Sequence, residues 1–449
     1  MTDKIRIPKI QLDKSISFLS DNFKYLFLFY ILAECALLFR FPVQYVSDSA
    51  YYLKLAQDCI RSNSFYPTPH QLYDDLIIAP LYINMIILLL KIYNSTITIG
   101  IYNIILNSLQ LYLLYKIVSH LFNEKTAVIA ALFYMLYLNN AGMIVVNLTE
   151  LSYTTLLLLS VYFYLKEGKF DLLYAGLFCG ASIAVRPLGW ALLIAYLIVL
   201  IIKHPKGKLL RHISFVIIGF AAFIIAFGSI TKIYSGYFIY TSTTGPINIL
   251  MSANDNANGG FYSIQSDEKG PGYIPGGDTL TFRQKQDIMQ NRGVSWIKEH
   301  PFKWISFIPN KIILLFRSDD ITVSRLVFPD FNFQKFLKIL KHDPSAPQNY
   351  SAGFLSLWVL LLLYHHLFYF AGLILFVYGL FRFHKDILQN SNLLLFLIYA
   401  FAGIAITMIA DSDIRFKYPY MFVVFICNAY FIAGLLKPYL TKVRPEVQE

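Results

Sequence analysis

The residue best placed for chemistry is Asp48. It lies in the motif SDSAYYLKLA (Ser47 to Ala56), a few residues past the first apolar span, Tyr25 to Phe39, and so at a membrane surface. A carboxylate there can take a proton from an acceptor hydroxyl while that oxygen attacks a sugar anomeric carbon. It can also serve as a helix N-terminal residue facing free backbone N–H groups, and the two roles are compatible. A substrate carried on a long isoprenoid cannot leave the bilayer cheaply, because each buried methylene is worth about 0.8 kcal/mol. The reacting group must therefore come to the headgroup.

Further charged residues fall at span ends or inside apolar runs. Arg415 and Lys417, which follow Asp411 and Asp413 at the start of the last span, put two cations at headgroup depth. That suits either a lipid phosphate, with Arg offering bidentate geometry, or simple anchoring by snorkelling. Arg186, next to Pro187, and the acids Glu150 and Glu34 lie in apolar surroundings. A charge inside the bilayer costs about 2.5 to 3.5 kcal/mol on insertion scales, so these should face the protein interior or an aqueous cavity. For Arg186 the bracing of an interrupted span is expected ahead of catalysis, and Glu34 is expected to pair internally. Asp74 and Asp75 are reserve acids or a solvated loop pair. Asn254, Asp255, Asn256, Asn258, Gly259 and Gly260 form a polar cluster that either closes over a sugar or is a plain surface loop.

Several chemistries find no support. The nine histidines show neither an H-E-x-x-H pattern nor a Cys-x-x-Cys partner, so no metal ligand set is indicated and no cofactor is expected. His365-His366 reads as packing or cavity lining. The glycines at 270 to 277 lack a following Lys-Ser or Lys-Thr, which argues against a nucleotide phosphate loop. Three of the four cysteines sit in apolar runs and only Cys59 in an outer loop, so no disulfide framework is implied.

The elements that must position these residues belong to a membrane. The chain is 57% hydrophobic and 14% charged, with long apolar runs. The pattern predicts an all-α polytopic protein with about eleven crossings, at about 17 or more residues per crossing. The net charge of +11 reflects topology rather than nucleic-acid binding. Lys4, Arg6, Lys9 and Lys14 precede the first span, Lys203 to Arg211 make a basic loop, and Arg382, Lys385, Lys437, Lys442 and Arg444 follow later spans. The positive-inside bias makes these ends cytoplasmic. The predicted order is a basic tail (1–24), a first transmembrane module (25–233) with an outer loop (41–78), a long outer region with interfacial helices (234–350), further spans (351–436) and a cytoplasmic tail (437–449). Parity does not close between Lys91 and Lys203, where five apolar runs lie and an inside-to-inside path needs an even number. Tyr52, Leu55, Ala56, Cys59 and Ile60 recur at helical spacing, which predicts a helix lying in the interface. Tyr25 to Phe39 lacks a small-residue cleavage pattern and reads as a retained anchor.

An acid just past the first transmembrane helix, followed by Tyr51-Tyr52 and a small amphipathic helix, resembles membrane glycosyltransferases of the GT-C superfamily, especially the protein O-mannosyltransferase and aminoarabinose-transferase-like branch. Five further stretches are similar in order: TEL (Thr149 to Leu151), AGLFCGASIAVRPLGW (Ala175 to Trp190), TTGPINILMSANDNANGGFY (Thr243 to Tyr262), WIKEHPFKWISFIPNKIILLF (Trp296 to Phe316) and DSDIRFKYPYMFVV (Asp411 to Val424). The family's first-loop acid is often doubled, whereas Ser49 follows Asp48 here. The resemblance implies a GT-C-like helical bundle with its site on the outer face of the cell membrane, Asp48 as general base, a polyprenyl-phosphate sugar donor and a glycan, lipid or protein acceptor. It implies substrate or phosphate contacts for Arg415, Lys417, Asn254, Tyr51, Tyr52, Glu150 and Arg186, with related enzymes known both with and without a divalent metal. Two other readings share the many spans: a carrier or flippase of lipid-linked saccharides, and an oligosaccharide polymerase or ligase.

Overall fold

The computed structural model describes residues 9–45, 48–204, 206–260, 270–320, 322–323, 326, 333–341, 343, 345 and 351–440. Ser47, Phe261-Tyr262, and the basic residues Lys4, Arg6, Lys442 and Arg444 lie outside the described residues.

The described chain is helical apart from isolated bridges. A first helix, α1 (Lys9–Asp21), occupies much of the expected tail, and meets α2 (Phe23–Arg40) at a bend of 72°. Next come α3 (Ser49–Arg61), α4 (Pro80–Ile92), α5 (Thr96–Leu121), α6 (Glu124–Leu136), α7 (Leu138–Met143), α8 (Thr149–Lys166), α9 (Lys169–Val185), α10 (Trp190–Lys203) and α11 (Lys206–Ser235). The region after them carries α12 (Gly245–Ser252), α13 (Phe282–Glu299), α14 (Pro301–Ser306), α15 (Ile308–Phe316) and α16 (Phe333–Leu340). The chain closes with α17 (Ala352–Arg382), α18 (His384–Gln389), α19 (Ser391–Ile409), a 3₁₀ turn over Ile414–Tyr420, and α20 (Met421–Leu440).

The architecture is the all-helical membrane bundle expected, but the count of about eleven crossings is not confirmed. Among the described residues five helices are long and apolar enough to cross a bilayer, or six if the bent pair counts as one span. The run over Leu76 to Leu90 falls short: α4 has 13 residues. At 1.5 Å per residue it reaches only about two thirds of a ~30 Å hydrocarbon core. Its last turn also stays beside the first loop, because Lys91 Nζ donates to Asn63 Oδ1 at 3.1 Å. Lys91 therefore lies at the same end of the bundle as α3, and an odd number of passes to Lys203 is what the chain needs. The parity conflict came from placing Lys91 at the wrong end.

Polar groups fix how the first helices pair. Phe23 of α2 stacks on Tyr115 of α5 at 3.7 Å, and farther along Glu34 accepts from Asn107 Nδ2 at 2.6 Å and Ser108 Oγ at 2.8 Å, so the two helices run antiparallel. Glu34 is thus paired internally, as expected. Within the Gly-rich helix α9, Gly176 lets α11 approach to backbone contact, since a Cβ there would collide with Val216 O. A Cβ on Gly219 of α11 would collide with Leu173 O in the same way.

The helix predicted from the period of Tyr52, Leu55, Ala56 and Cys59 forms. In α3 the buried residues are Ser49, Tyr52, Leu55, Ala56 and Cys59. Helix α13 opens with a capping box between Thr281 and Gln284 and buries Met289 and Gly293, but Trp296 faces Asp255, to which its Nε1 donates at 2.8 Å. The apolar stretch Trp304 to Phe316 is divided between α14 and the nine-residue α15, too short to cross a bilayer. Lys311 of α15 is fully buried and its Nζ donates to Met408 O and Ala410 O, the open carbonyls at the end of α19.

Candidate active site

Helix ends converge on a cavity of about 690 Å³. The turn before α3 brings Asp48, and α3 brings Tyr51 and Tyr52. The segment before α4 brings Asp74 and Asp75, the break between α9 and α10 brings Arg186, and the segment after α19 brings Asp411 and Arg415. Thr149 at the start of α8, Ser242, Thr244, Asn248 of α12, Asp278, and Lys285 of α13 add to its polar wall.

Within its lining Arg415 Nη2 donates to Asp48 Oδ2 at 2.9 Å, across 367 residues of sequence. The Asp48 side chain is 40% exposed and that of Arg415 is 14% exposed, so the pair sits in the mouth of the cavity rather than in closed packing. Asp48 occupies the N-cap position of α3 yet makes no side-chain cap bond. Its carboxylate is turned to the cavity instead, which separates the two roles that the sequence left together. Arg415 is held from behind by Asp413, whose Oδ1 accepts from the Arg415 backbone N–H at 2.9 Å and lies 3.6 Å from Nε.

A second ion pair lies deeper. Arg186 Nη1 meets Glu150 Oε1 at 3.0 Å, and Glu150 is nearly inaccessible. Arg186 follows α9 in extended conformation, because the helix cannot continue into Pro187, and its guanidinium lies 5.6 Å from the centre of the Phe416 ring. Arg186 lines the cavity; Glu150 stands behind it as counter-ion. Tyr52 is buried in the cavity wall against Tyr82, whereas Tyr51 is partly exposed. Burial first, then the carboxylates of Asp74 and Asp75, push the Tyr51 phenol up to about 12.

Two expected contacts lie elsewhere. Lys417 has no exposed surface: it points into the protein, where its Nζ meets Asp319 Oδ1 at 3.0 Å, Ile414 O at 3.1 Å and Ser318 O. In a 3₁₀ turn residues two apart point about 120° away from each other, and with Lys417 sealed inside, only Arg415 faces the cavity. Asn254 is 4% exposed and ends α12, donating to Leu250 O at 2.8 Å and Met251 O at 3.2 Å, with Oδ1 accepting from Asn256 N at 2.9 Å. It borders a separate hollow of about 400 Å³ with Asp255 and Trp296. Its amide closes a helix rather than the cavity.

Sequence reasoning passed over Asp411, Asp278 and Lys285. Lys285 is buried between Asp75 Oδ1 at 3.0 Å and Tyr73 O at 2.7 Å, and so makes Asp75 half of an ion pair rather than a solvated loop acid. Asp411 is 3% exposed, and its Oδ1 has no hydrogen-bond partner among the described residues. Burial first, then Asp413, push its carboxyl up to about 6. The available signal was an aspartate placed directly after the apolar run of α19. Among the described residues no three His, Cys, Asp or Glu side chains come together as a metal ligand set.

Residues 78–230 match the family model described as dolichyl-phosphate-mannose-protein mannosyltransferase, a stretch running from just before α4 into α11. No curated protein matches the sequence. Among solved structures, the archaeal oligosaccharyltransferase AglB from Archaeoglobus fulgidus, in complex with an inhibitory peptide and a dolichol-phosphate, is 14% identical with a TM-score of 0.47, over 92% of this chain and 51% of that one. The protein ArnT from Cupriavidus metallidurans, bound to undecaprenyl phosphate, is 9% identical with a TM-score of 0.37, over 92% of this chain and 78% of that one. The chain spans about half the length of the archaeal oligosaccharyltransferases it matches. Over residues 78–230 the family-model match agrees with the resemblance to GT-C superfamily membrane glycosyltransferases.

Proposed function

We propose that this protein transfers a sugar from a polyprenyl-phosphate donor to an acceptor hydroxyl at the outer face of the membrane, with Asp48 as general base and Arg415 as the principal phosphate contact. The observation that carries this reading is the Asp48–Arg415 pair, 2.9 Å apart in the mouth of a cavity of about 690 Å³.

In this scheme the acceptor O–H proton passes to the Asp48 carboxylate as the acceptor oxygen forms its bond to the anomeric carbon. The bond from that carbon to the phosphate oxygen breaks, and the phosphate leaves with the electron pair. Attack from the face opposite the leaving group inverts the anomeric centre, and because a phosphate leaves readily no separate acid is needed. Arg415 uses Nη2 for Asp48, and Arg186 uses Nη1 for Glu150. Each guanidinium keeps further N–H groups for phosphate oxygens. A phosphate arriving at Arg415 competes with Asp48 for that cation, so donor binding would loosen the base just as it is needed. Placement on the outer face is supported by Lys203 at the end of α10 and Lys208 and Arg211 in the first turns of α11, basic residues at the helix ends remote from the cavity. The acceptor is a glycan, lipid or protein hydroxyl, and catalysis without a metal is part of the proposal.

The test is release of free polyprenyl phosphate from a sugar-linked donor by purified protein in detergent. Wild type should release it and Asp48→Asn should not, at unchanged thermal stability. An Asp48→Asn protein with wild-type turnover would remove Asp48 from the chemistry.

A further inference from the structure

We propose that Asp411 recognises the sugar: its carboxylate accepts a hydrogen bond from a hydroxyl of the sugar on the donor, beside the Arg415 guanidinium that meets the phosphate. This rests on the lipid-phosphate reading above and adds to it the residue that tells a sugar-bearing lipid from a bare one.

Asp411 lines the same cavity as Asp48 and Arg415, is 3% exposed, and carries an Oδ1 shielded from water without a hydrogen-bond partner among the described residues. A buried acceptor left without a donor costs about 1–3 kcal/mol, and more when charged, so such a group is not kept for stability. Neither neighbouring cation donates a hydrogen bond to this oxygen. Lys311 Nζ spends two hydrogens on Met408 O at 2.8 Å and Ala410 O at 2.7 Å, and Arg415 is engaged by Asp48 and Asp413. The segment is also held in place: Ser412 Oγ donates to Lys311 O at 2.8 Å and Ser412 N to Gly259 O at 3.3 Å. A fixed acceptor in a cavity wall is the arrangement that binding sites use for orientation.

The surroundings select the chemical class. A metal ion would need converging ligands, and among the described residues no such set exists. Lys311 and Arg415 both act on Asp411 electrostatically and would oppose a second cation, while the carboxylate itself repels a phosphate. A neutral hydroxyl is the donor that fits.

The experiment measures binding of full-length protein in nanodiscs to two probes: dolichyl phosphate, and whichever of the mannose-, glucose- and galactose-linked dolichyl phosphates binds wild type best. Asp411→Asn, which keeps the shape, should weaken the sugar-linked lipid about tenfold, the size expected for one hydrogen bond to a charged group, and leave dolichyl phosphate unchanged. Asp411→Ser, which keeps a smaller acceptor, provides a second variant should the first fold poorly. Arg415→Ala should weaken both lipids. In wild type the preference for the sugar-linked lipid should also fall as pH drops through about 6, the value to which burial and Asp413 raise this carboxyl against the pull of Lys311 and Arg415. Equal binding of both lipids by wild type, no change in either variant, or equal loss of both probes on Asp411 substitution would each overturn the role of Asp411. Wild type that binds neither lipid overturns the lipid-phosphate reading itself.

Discussion

One short turn, Ile414–Tyr420, supplies a cation to each of two ionic clusters, and the clusters differ in what surrounds them. Arg415 reaches the cavity, where its partner Asp48 is 40% exposed. Lys417, two residues on, is sealed in the interior with Asp319, which also lies 3.7 Å from His365 and accepts from the Tyr137 hydroxyl. An ion pair in partial contact with water can exchange partners at modest cost, whereas a sealed one cannot lose either member without leaving a charge unpaired. The interior cluster therefore fixes the turn, and the cavity cluster is free to act.

That contrast makes a ranked set of predictions. The largest effect on stability is expected from Lys417→Ala, which leaves Asp319 unpaired and should destabilise by about 3–5 kcal/mol, read as a fall in the thermal unfolding midpoint in detergent. Equal stability of this variant and wild type would break the comparison. Arg415→Ala should instead leave the midpoint close to wild type and weaken donor-lipid binding by about 10- to 100-fold, the range for hydrogen bonds to charged groups. Unchanged donor affinity would remove Arg415 from the phosphate. Asp75→Asn removes the half-exposed partner of the buried Lys285, whose Nζ keeps its bond to Tyr73 O, and should cost less than Lys417→Ala, about 1–3 kcal/mol in the same unfolding measurement.

A pH-dependent effect belongs to Asp411. Its folded carboxyl is raised from 3.8 to about 6, so the folded state holds this proton more tightly than the unfolded chain does. The stability contributed is fully present below about 3.8 and is lost as pH rises through about 6. Asp411→Asn should flatten the pH dependence of the unfolding midpoint across that window, and an unaltered slope would place the raised carboxyl elsewhere.

Much of this arrangement was legible in the sequence because local patterns carry it. The period of Tyr52, Leu55, Ala56 and Cys59 is that of one buried helix face, and it forms as α3. Arg186-Pro187 breaks a helix because proline forbids its continuation, and the charge so placed finds Glu150. Illegible features depend on direction or on distant partners. Arg415 and Lys417 look equivalent in sequence, and only the 3₁₀ geometry sends them apart. Hydropathy over Leu76 to Leu90 resembles a span, yet the last turn of α4 is held beside the end of α3 by Lys91 and Asn63, a contact that no window average detects. Asn254 reads as a flexible loop residue, but its amide is used up in ending α12. Asp411 acquires its meaning only when Lys311, 100 residues earlier, proves to be committed to backbone carbonyls.

The central claim is a division of labour in which Asp48 moves the proton and Arg415 holds the phosphate. It is tested most directly by single-turnover release of polyprenyl phosphate at saturating sugar-linked donor. Asp48→Asn should bind the donor at least as tightly as wild type, since Arg415 is relieved of a competing charge, yet release product about 10²- to 10⁴-fold more slowly, the usual worth of a general base. Release at the wild-type rate from a donor-saturated Asp48→Asn enzyme would contradict the account.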